Sequence, residues 1–353
     1  HLEVFCDGAS PRIEALPEAS DALRERIRNA AAVLMFLGPF EEETVRMCAT
    51  LGVPVIFWTE FSPRTERQII DSETSKLVLR LRRKLWVAKA EHRRRRMLRL
   101  AAGVQCSGTP VYEAYRRFNP NPLLFFDSRV PSAQVIDPAQ LAEKSAYLMQ
   151  QRPLRIVFGG RLVAMKGVLD LLLVAKALRR LGVAFQLDIY GKGVLENELA
   201  RNIAEWKLGD CVALRGVLDF GNEWIPMLKR EADIFLCCHP QGDPSSTYPE
   251  VMSCGVPIVG YDNEAFAGIV QHSNSGWLSP MHDAEGLARI IARLSENGGE
   301  IVRAARFARD FAAEHSFEKT FALRAHHMIT VSRLPELVRS AFGAITAQTF
   351  LAA

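Results

Sequence analysis

The sequence is poor in the groupings that hold metals or bridges. Its 353 residues include seven cysteines, an odd number, at Cys6, Cys48, Cys106, Cys211, Cys237, Cys238 and Cys254. No Cys-x2-Cys pair occurs and no Cys/His cluster has ligand spacing, so no metal site is expected. Most of these cysteines sit in apolar runs, where cysteine behaves as a small hydrophobe. With no signal peptide in the opening residues, a reducing, cytoplasmic setting is expected. No apolar run approaches the roughly 20 residues of a spanning helix. Charge of one sign is not in large excess either: the net charge is +4, too mild to imply nucleic acid by itself.

What is present fits a soluble globular protein: 48% hydrophobic and 24% charged residues. At roughly 100–200 residues per domain, the length suggests two domains. The chain opens on His1, and residues 1–8 already read as a strand.

The second half is the clearer one. Residues 154–159, 185–190, 212–214, 234–238 and 258–261 are short apolar runs that read as strands. Segments 166–181, 194–207, 224–230, 249–253, 286–294 and 302–314 read as helices. This alternation predicts a doubly wound α/β domain with parallel strands, whose ligands bind at the strands' carboxyl ends. The first half repeats the rhythm more faintly. Strands are expected at 2–6, 32–37, 53–58, 103–107 and 123–126, with helices near 41–51 and 76–100. Residues 128–151 read as a linker. The domains are therefore placed at 1–150 and 151–315, with a helical tail at 316–353.

Two loops carry candidate chemistry. Gly159 and Gly160 end a strand, Arg161 follows, and Lys166 and Gly167 open the next helix. Glycines admit close approach of a phosphate, and cations beside a helix start favour an anion. A tight turn with two surface cations would look the same. The second loop, Pro244-Ser245-Ser246-Thr247-Tyr248-Pro249-Glu250, places hydroxyls and backbone N–H groups at a helix start. Glu250, in the first turn, could accept the hydroxyls of a ribose or merely complement the helix dipole.

Taken in order, Gly-Gly-Arg-x4-Lys-Gly, Tyr190-Gly191-Lys192-Gly193, Arg215-Gly216-Val217 and Pro249-Glu250-x3-Cys254-Gly255-Val256-Pro257 resemble the donor half of retaining GT-B glycosyltransferases of family four, the glycosyl transferases group 1. The resemblance covers about residues 152–314. It implies two Rossmann-like domains facing a cleft, a nucleoside diphosphate sugar as donor, and no cofactor or metal. Arg161 and Lys166 would neutralise the departing diphosphate. Gly160, Gly191 and Gly193 would pass near the nucleotide, and Gly216 and Val217 would frame its base. Ser246 and Thr247 would meet the phosphates and Glu250 the ribose. The family's first motif glutamate would fall on Gly242, with Asp243 as a shorter substitute one residue later.

The first half matches less closely. Where many relatives have a cleft histidine, Glu60 stands, as an acceptor-binding group, a base or a surface acid. The glycine-rich loop after the family's first strand is not visible, so that strand and its helix are expected to be missing from the N-terminal domain. Ten cations from Arg80 to Arg99, interleaved with Leu81, Leu85, Trp86 and Met97, read as a basic amphipathic helix. It would lie on an anionic membrane or pack its apolar stripe into the core. A peripheral position on the inner face of the plasma membrane and a lipid-linked or saccharide acceptor follow from the first reading. No stacking platform accompanies the run, so nucleic acid is not expected. Two rivals to sugar transfer remain: a sugar-nucleotide epimerase of the same fold, and a non-catalytic sugar-nucleotide-binding partner of a polysaccharide complex.

Overall fold

The computed structural model describes residues 2–6, 11–15, 20–150, 152–242 and 244–332, the first two segments as backbone only. Asp243 and the tail beyond residue 332 lie outside the described residues.

The strands are β1 (Leu2–Cys6), β2 (Pro11–Ala15), β3 (Val33–Phe36), β4 (Val55–Thr59), β5 (Gly103–Ser107), β6 (Pro122–Phe125), β7 (Leu154–Gly159), β8 (Phe185–Tyr190), β9 (Val212–Gly216), β10 (Ile234–Cys237), β11 (Ile258–Tyr261) and β12 (Trp277–Ser279). β7 to β12 form one parallel sheet in the order β12-β11-β10-β7-β8-β9. The order reverses between β7 and β10. That is the switch point, outside whose carboxyl ends a crevice forms. β3 to β6 form a second parallel sheet in chain order. The central strands are buried on both faces, as Ile56, Phe57, Val104 and Cys106, all fully buried, show for β4 and β5.

Three sequence expectations need correction. β1 does not join the parallel sheet. It pairs antiparallel with β2, because residues 7–10 are too short a connection for a crossover. The stretch 128–151 is not all linker. Asp137 caps a helix, Pro138–Leu148, that packs on the C-terminal half, its Lys144 ammonium buried and donating to the Leu228 and Cys254 carbonyls at 2.8 and 3.1 Å. Burial pushes that ammonium's pKa down to about 8.

The basic helix, Leu77–Leu100, is not amphipathic in the simple sense. Leu77, Val78 and Leu79 are all exposed, as are Leu81, Leu85 and Trp86. At 100° per residue no single stripe includes three consecutive positions. Only from Val87 onward does it enter the core, through Val87, Ala90, Met97 and Leu98. The first half projects, with Trp86 against the exposed Phe40 ring at 6.3 Å. The cations divide as well. Arg94 is buried and grips Glu66 with two hydrogen bonds of 2.8 and 2.7 Å. Lys84 pairs with Asp71 and Arg95 with Glu91.

The last described helix, Phe317–Val331, leaves the C-terminal half and lies on the N-terminal sheet. There Arg324 Nε donates to Gln105 Oε1 at 2.9 Å, and Gln105 Nε2 donates back to the Arg324 carbonyl. No helix among the described residues is long and apolar enough to cross a membrane.

Candidate functional site

Loops from the carboxyl ends of β7, β8 and β9 meet the start of the helix Thr247–Ser253 around a hollow of about 370 Å³. Its walls are Gly159, Gly160, Arg161, Tyr190, Gly191, Lys192, Val217, Leu218, Phe220, Trp224, Thr247 and Glu250, joined by Arg129 from between the two halves.

The walls touch backbone to backbone. The Gly160 amide donates to the Tyr190 carbonyl at 3.1 Å, Leu162 to Lys192 at 2.9 Å, and Gly191 to Gly216 at 2.6 Å. Side chains have no room there. A Cβ on Gly191, whose φ is 131°, would lie 1.8 Å from the Gly160 oxygen, and one on Gly193 2.3 Å from that of Leu162. A Cβ on Gly159 would strike the Trp224 ring at 2.4 Å. These glycines are needed by the packing of loop on loop, whatever else they admit. Tyr190 and Trp224 meet edge to face at 5.4 Å and give the hollow an aromatic wall.

Glu250 ends up as the buried acid of the site. Its side chain is 4% exposed, and Oε1 accepts from Arg129 Nε at 2.8 Å. The Arg129 guanidinium lies over the Phe220 ring, 4.6 Å from its centre. Arg129, Phe220 and Trp224 were not among the residues expected from the sequence. No spacing rule connects positions 121 residues apart, Trp224 reads there only as the first residue of a helix, and Phe220 has no element or role there.

The structure separates some residues expected together. Arg161 and Glu250 share the hollow, but Lys166 does not line it. The 3-10 turn Ala164–Lys166 and the left-handed Gly167 carry Lys166 towards the end of β10. There burial, helped by the Lys166 charge, holds the His239 pKa well below the usual imidazole range. Gly193, Gly216 and Ser246 also do not line the hollow. The amides expected to be open at the second helix start are partly engaged: Thr247 donates to Ser245 Oγ at 3.4 Å and Tyr248 to the Ser245 carbonyl at 3.2 Å. Glu60, half-buried just after β4, belongs to the rim of the other sheet, where its charge and that of Asp127 act on Arg324.

Gly242 is packed against the N-terminal half. Its carbonyl accepts from Thr65 Oγ1 at 3.1 Å and its amide donates to Gln68 Oε1 at 3.1 Å, both on the helix Pro63–Glu73. A Cβ there would approach the Glu264 side chain to 3.3 Å. The neighbouring Gln241 is buried with neither amide atom hydrogen-bonded among the described residues.

Residues 140–311 match the model of the glycosyl transferases group 1 family. This segment belongs to that family. The chain is 33% identical over 195 residues to the amylovoran biosynthesis glycosyltransferase AmsK of Erwinia amylovora, covering 54% of this chain and 47% of that one. It is 29% identical over 174 residues to the putative colanic acid biosynthesis glycosyltransferase WcaL of Escherichia coli K12, covering 47% and 42%. The chain thus spans about half the length of the curated relatives it matches. Among solved structures it is similar to Anabaena Alr3699/HepE in complex with UDP, with a TM-score of 0.60 and 16% identity over 88% of this chain and 82% of that one. It is also similar to WaaG, a glycosyltransferase involved in lipopolysaccharide biosynthesis, with a TM-score of 0.56 and 12% identity over 78% and 77%. The fold is that of GT-B glycosyltransferases, two Rossmann-like domains, and in the group 1 segment the hollow lies at the carboxyl edge of the sheet.

Proposed function

We propose that the chain transfers a sugar from a nucleoside diphosphate sugar to an acceptor hydroxyl, with retention, in the assembly of a bacterial surface polysaccharide. The observation that carries this reading is the glycine-walled hollow that a buried carboxylate, Glu250, and an exposed guanidinium, Arg161, both line. The names of the amylovoran and colanic acid relatives support the acceptor class, and the UDP complex of a structural neighbour supports the donor class.

In this account the base lies against Tyr190, Trp224 and Val217, and its ribose diol donates to Glu250. Arg161 meets the diphosphate in the hollow, and Lys166 meets it farther on, beside His239. The acceptor hydroxyl attacks the anomeric carbon on the face from which the diphosphate leaves. Arg161 and Lys166 stabilise the negative charge that grows on the leaving oxygen. His239, kept neutral, leaves Lys166 as the cation of that corner. The N-terminal half offers the acceptor, with Glu60 on its rim to bind or deprotonate the hydroxyl.

The projecting half of the helix Leu77–Leu100 supports a lipid-linked acceptor. Leu77, Val78, Leu81, Leu85 and Trp86 stand exposed among Arg80, Arg82, Arg83 and Lys89. Apolar insertion plus cations is the combination that holds a protein on anionic lipid.

The test is release of nucleoside diphosphate from a panel of donor sugars in the presence of lipid-linked acceptors. The folded Arg161→Ala/Lys166→Ala double variant should lose at least about a hundredfold in turnover. Unchanged turnover would discard the assignment. The packing of Gly242 favours a second reading, a sugar-nucleotide-binding partner without turnover. Binding of a donor with no product under any acceptor would establish it.

A further inference from the structure

Two stretches of chain join the halves, and they are laced together. The Phe317 amide donates to the Val130 carbonyl at 3.0 Å, Ser132 and Ser316 hydroxyls share a hydrogen bond of 2.7 Å, and the Ser132 amide donates to Glu318 Oε2 at 2.9 Å. Phe126 packs edge to face on Phe311 and His315 at 5.1 and 5.0 Å. Arg129 sits in the middle of the first stretch, so its backbone is held on both sides. Its side chain nevertheless belongs to the hollow in the other half, lying flat on Phe220 and reaching Glu250.

The contact engages only one carboxylate oxygen. Oε1 accepts from Arg129 Nε, and no hydrogen bond to Oε2 is present among the described residues, while Glu250 lines the hollow. An ion pair with one exposed partner is ordinarily worth little. Here the acid is 4% exposed, so removing the cation would leave a buried carboxylate unpaired and free to turn. A cis-diol needs that carboxylate ionised and aimed.

We propose that Arg129 is the positioning residue for the diol-binding carboxylate. It clamps Oε1 and keeps Oε2 turned into the hollow to accept from a ribose. Because it grows from the joining stretch, it ties the grip on the donor's nucleoside to the arrangement of the two halves. This inference rests on the donor site proposed above and adds a residue and a specificity to it.

Calorimetric titration tests it. The probes are UDP, GDP and ADP, and the 2′,3′-dideoxy counterpart of whichever binds best. Arg129→Ala should weaken the ribonucleotide about tenfold and leave the dideoxynucleotide within about twofold. Glu250→Gln should erase the same ribo-to-dideoxy preference, and adding Arg129→Ala to it should change nothing more. Arg129→Lys, which keeps charge but lacks the Nε geometry, should recover only part. It also serves as the second variant if the alanine form folds poorly. Equal weakening of both nucleotides would overturn the proposal, since Arg129 would then touch phosphate or base. An unchanged preference would overturn it, and so would tighter binding, which would make Arg129 a mere competitor. If the wild-type chain binds none of the three diphosphates, the donor-site reading fails first and this inference falls with it.

Discussion

The two halves are built by different means. In the C-terminal half the hollow and the turn beside it are packed loop on loop, with no room for a side chain at Gly159 under Trp224, Gly191 against Gly160 or, in the adjoining turn, Gly167 against Cys238. In the N-terminal half the distinctive features are side chains: a buried Arg94–Glu66 pair, a projecting helix with bare leucines, and Glu60 on an open rim. The difference matches what the proposed reading asks of each half. A site that grips a compact charged group needs rigid loops, whereas a surface that meets a large acceptor needs reach and exposed chemistry.

The sharpest way to break this comparison is to add one methyl group to each half. Gly167 has φ 62°, and a Cβ would lie 1.8 Å from the Cys238 carbonyl oxygen. Gly167→Ala should cost more than about 4 kcal/mol or prevent folding of the C-terminal half. Gly52 has a similar φ of 70° with nothing within 4 Å of its Cβ position. Gly52→Ala should cost only about 1–2 kcal/mol in denaturant unfolding. Equal costs would remove the distinction.

The N-terminal half should instead fail through its buried charges. Arg94→Ala strands Glu66 and should cost about 3–5 kcal/mol. Arg64, 69% exposed and paired with Glu264, should cost less than about 1 kcal/mol when changed to Ala.

A third, smaller effect lies at the joint between halves. Burial, helped by His272 and Lys319, pushes the His315 pKa down to about 4. The unfolded chain binds that proton near the ordinary value of about 6.5. Stability contributed by the neutral ring is therefore complete above that value and is lost as pH falls towards 4. His315→Phe, which keeps an aromatic against Phe126 and Phe311, should flatten this acid limb in unfolding curves at pH 7 and pH 5. An unchanged slope would locate the acid sensitivity elsewhere. The smallest stability effect is expected on the projecting helix. Leu81→Ser/Leu85→Ser/Trp86→Ser should shift unfolding by less than about 1 kcal/mol while abolishing co-sedimentation with vesicles containing anionic lipid. Retained sedimentation would leave the bare leucines without that role.

The parts legible in the sequence were those written as local pattern. β5, β7, β8 and β11 fall at the expected residues, because buried parallel strands are short apolar runs between glycines. The order of the glycine loops also led to the hollow. Less visible were features that depend on tertiary contact. β12 has three residues and reads as loop until Gly276, at φ 110°, delivers it beside β11. The helix Pro138–Leu148 was masked by its polar stretch, and its key residue, Lys144, is buried only because two distant carbonyls receive it. Lys166 keeps Arg161 as a sequence neighbour yet faces His239, since the left-handed turn at Gly167 redirects it. Arg129 carries no local signal at all.

The most direct test of the account is thermal unfolding of the wild-type chain and its Arg161→Ala variant with a panel of nucleoside diphosphates and their sugars. The account predicts that at least one family of ligands sharing a base raises the wild-type midpoint, with a stabilisation of roughly 2.7 kcal/mol at a hundred times the dissociation constant, and that Arg161→Ala suppresses the rise. A midpoint unmoved by every ligand, or moved equally in the variant, would contradict it.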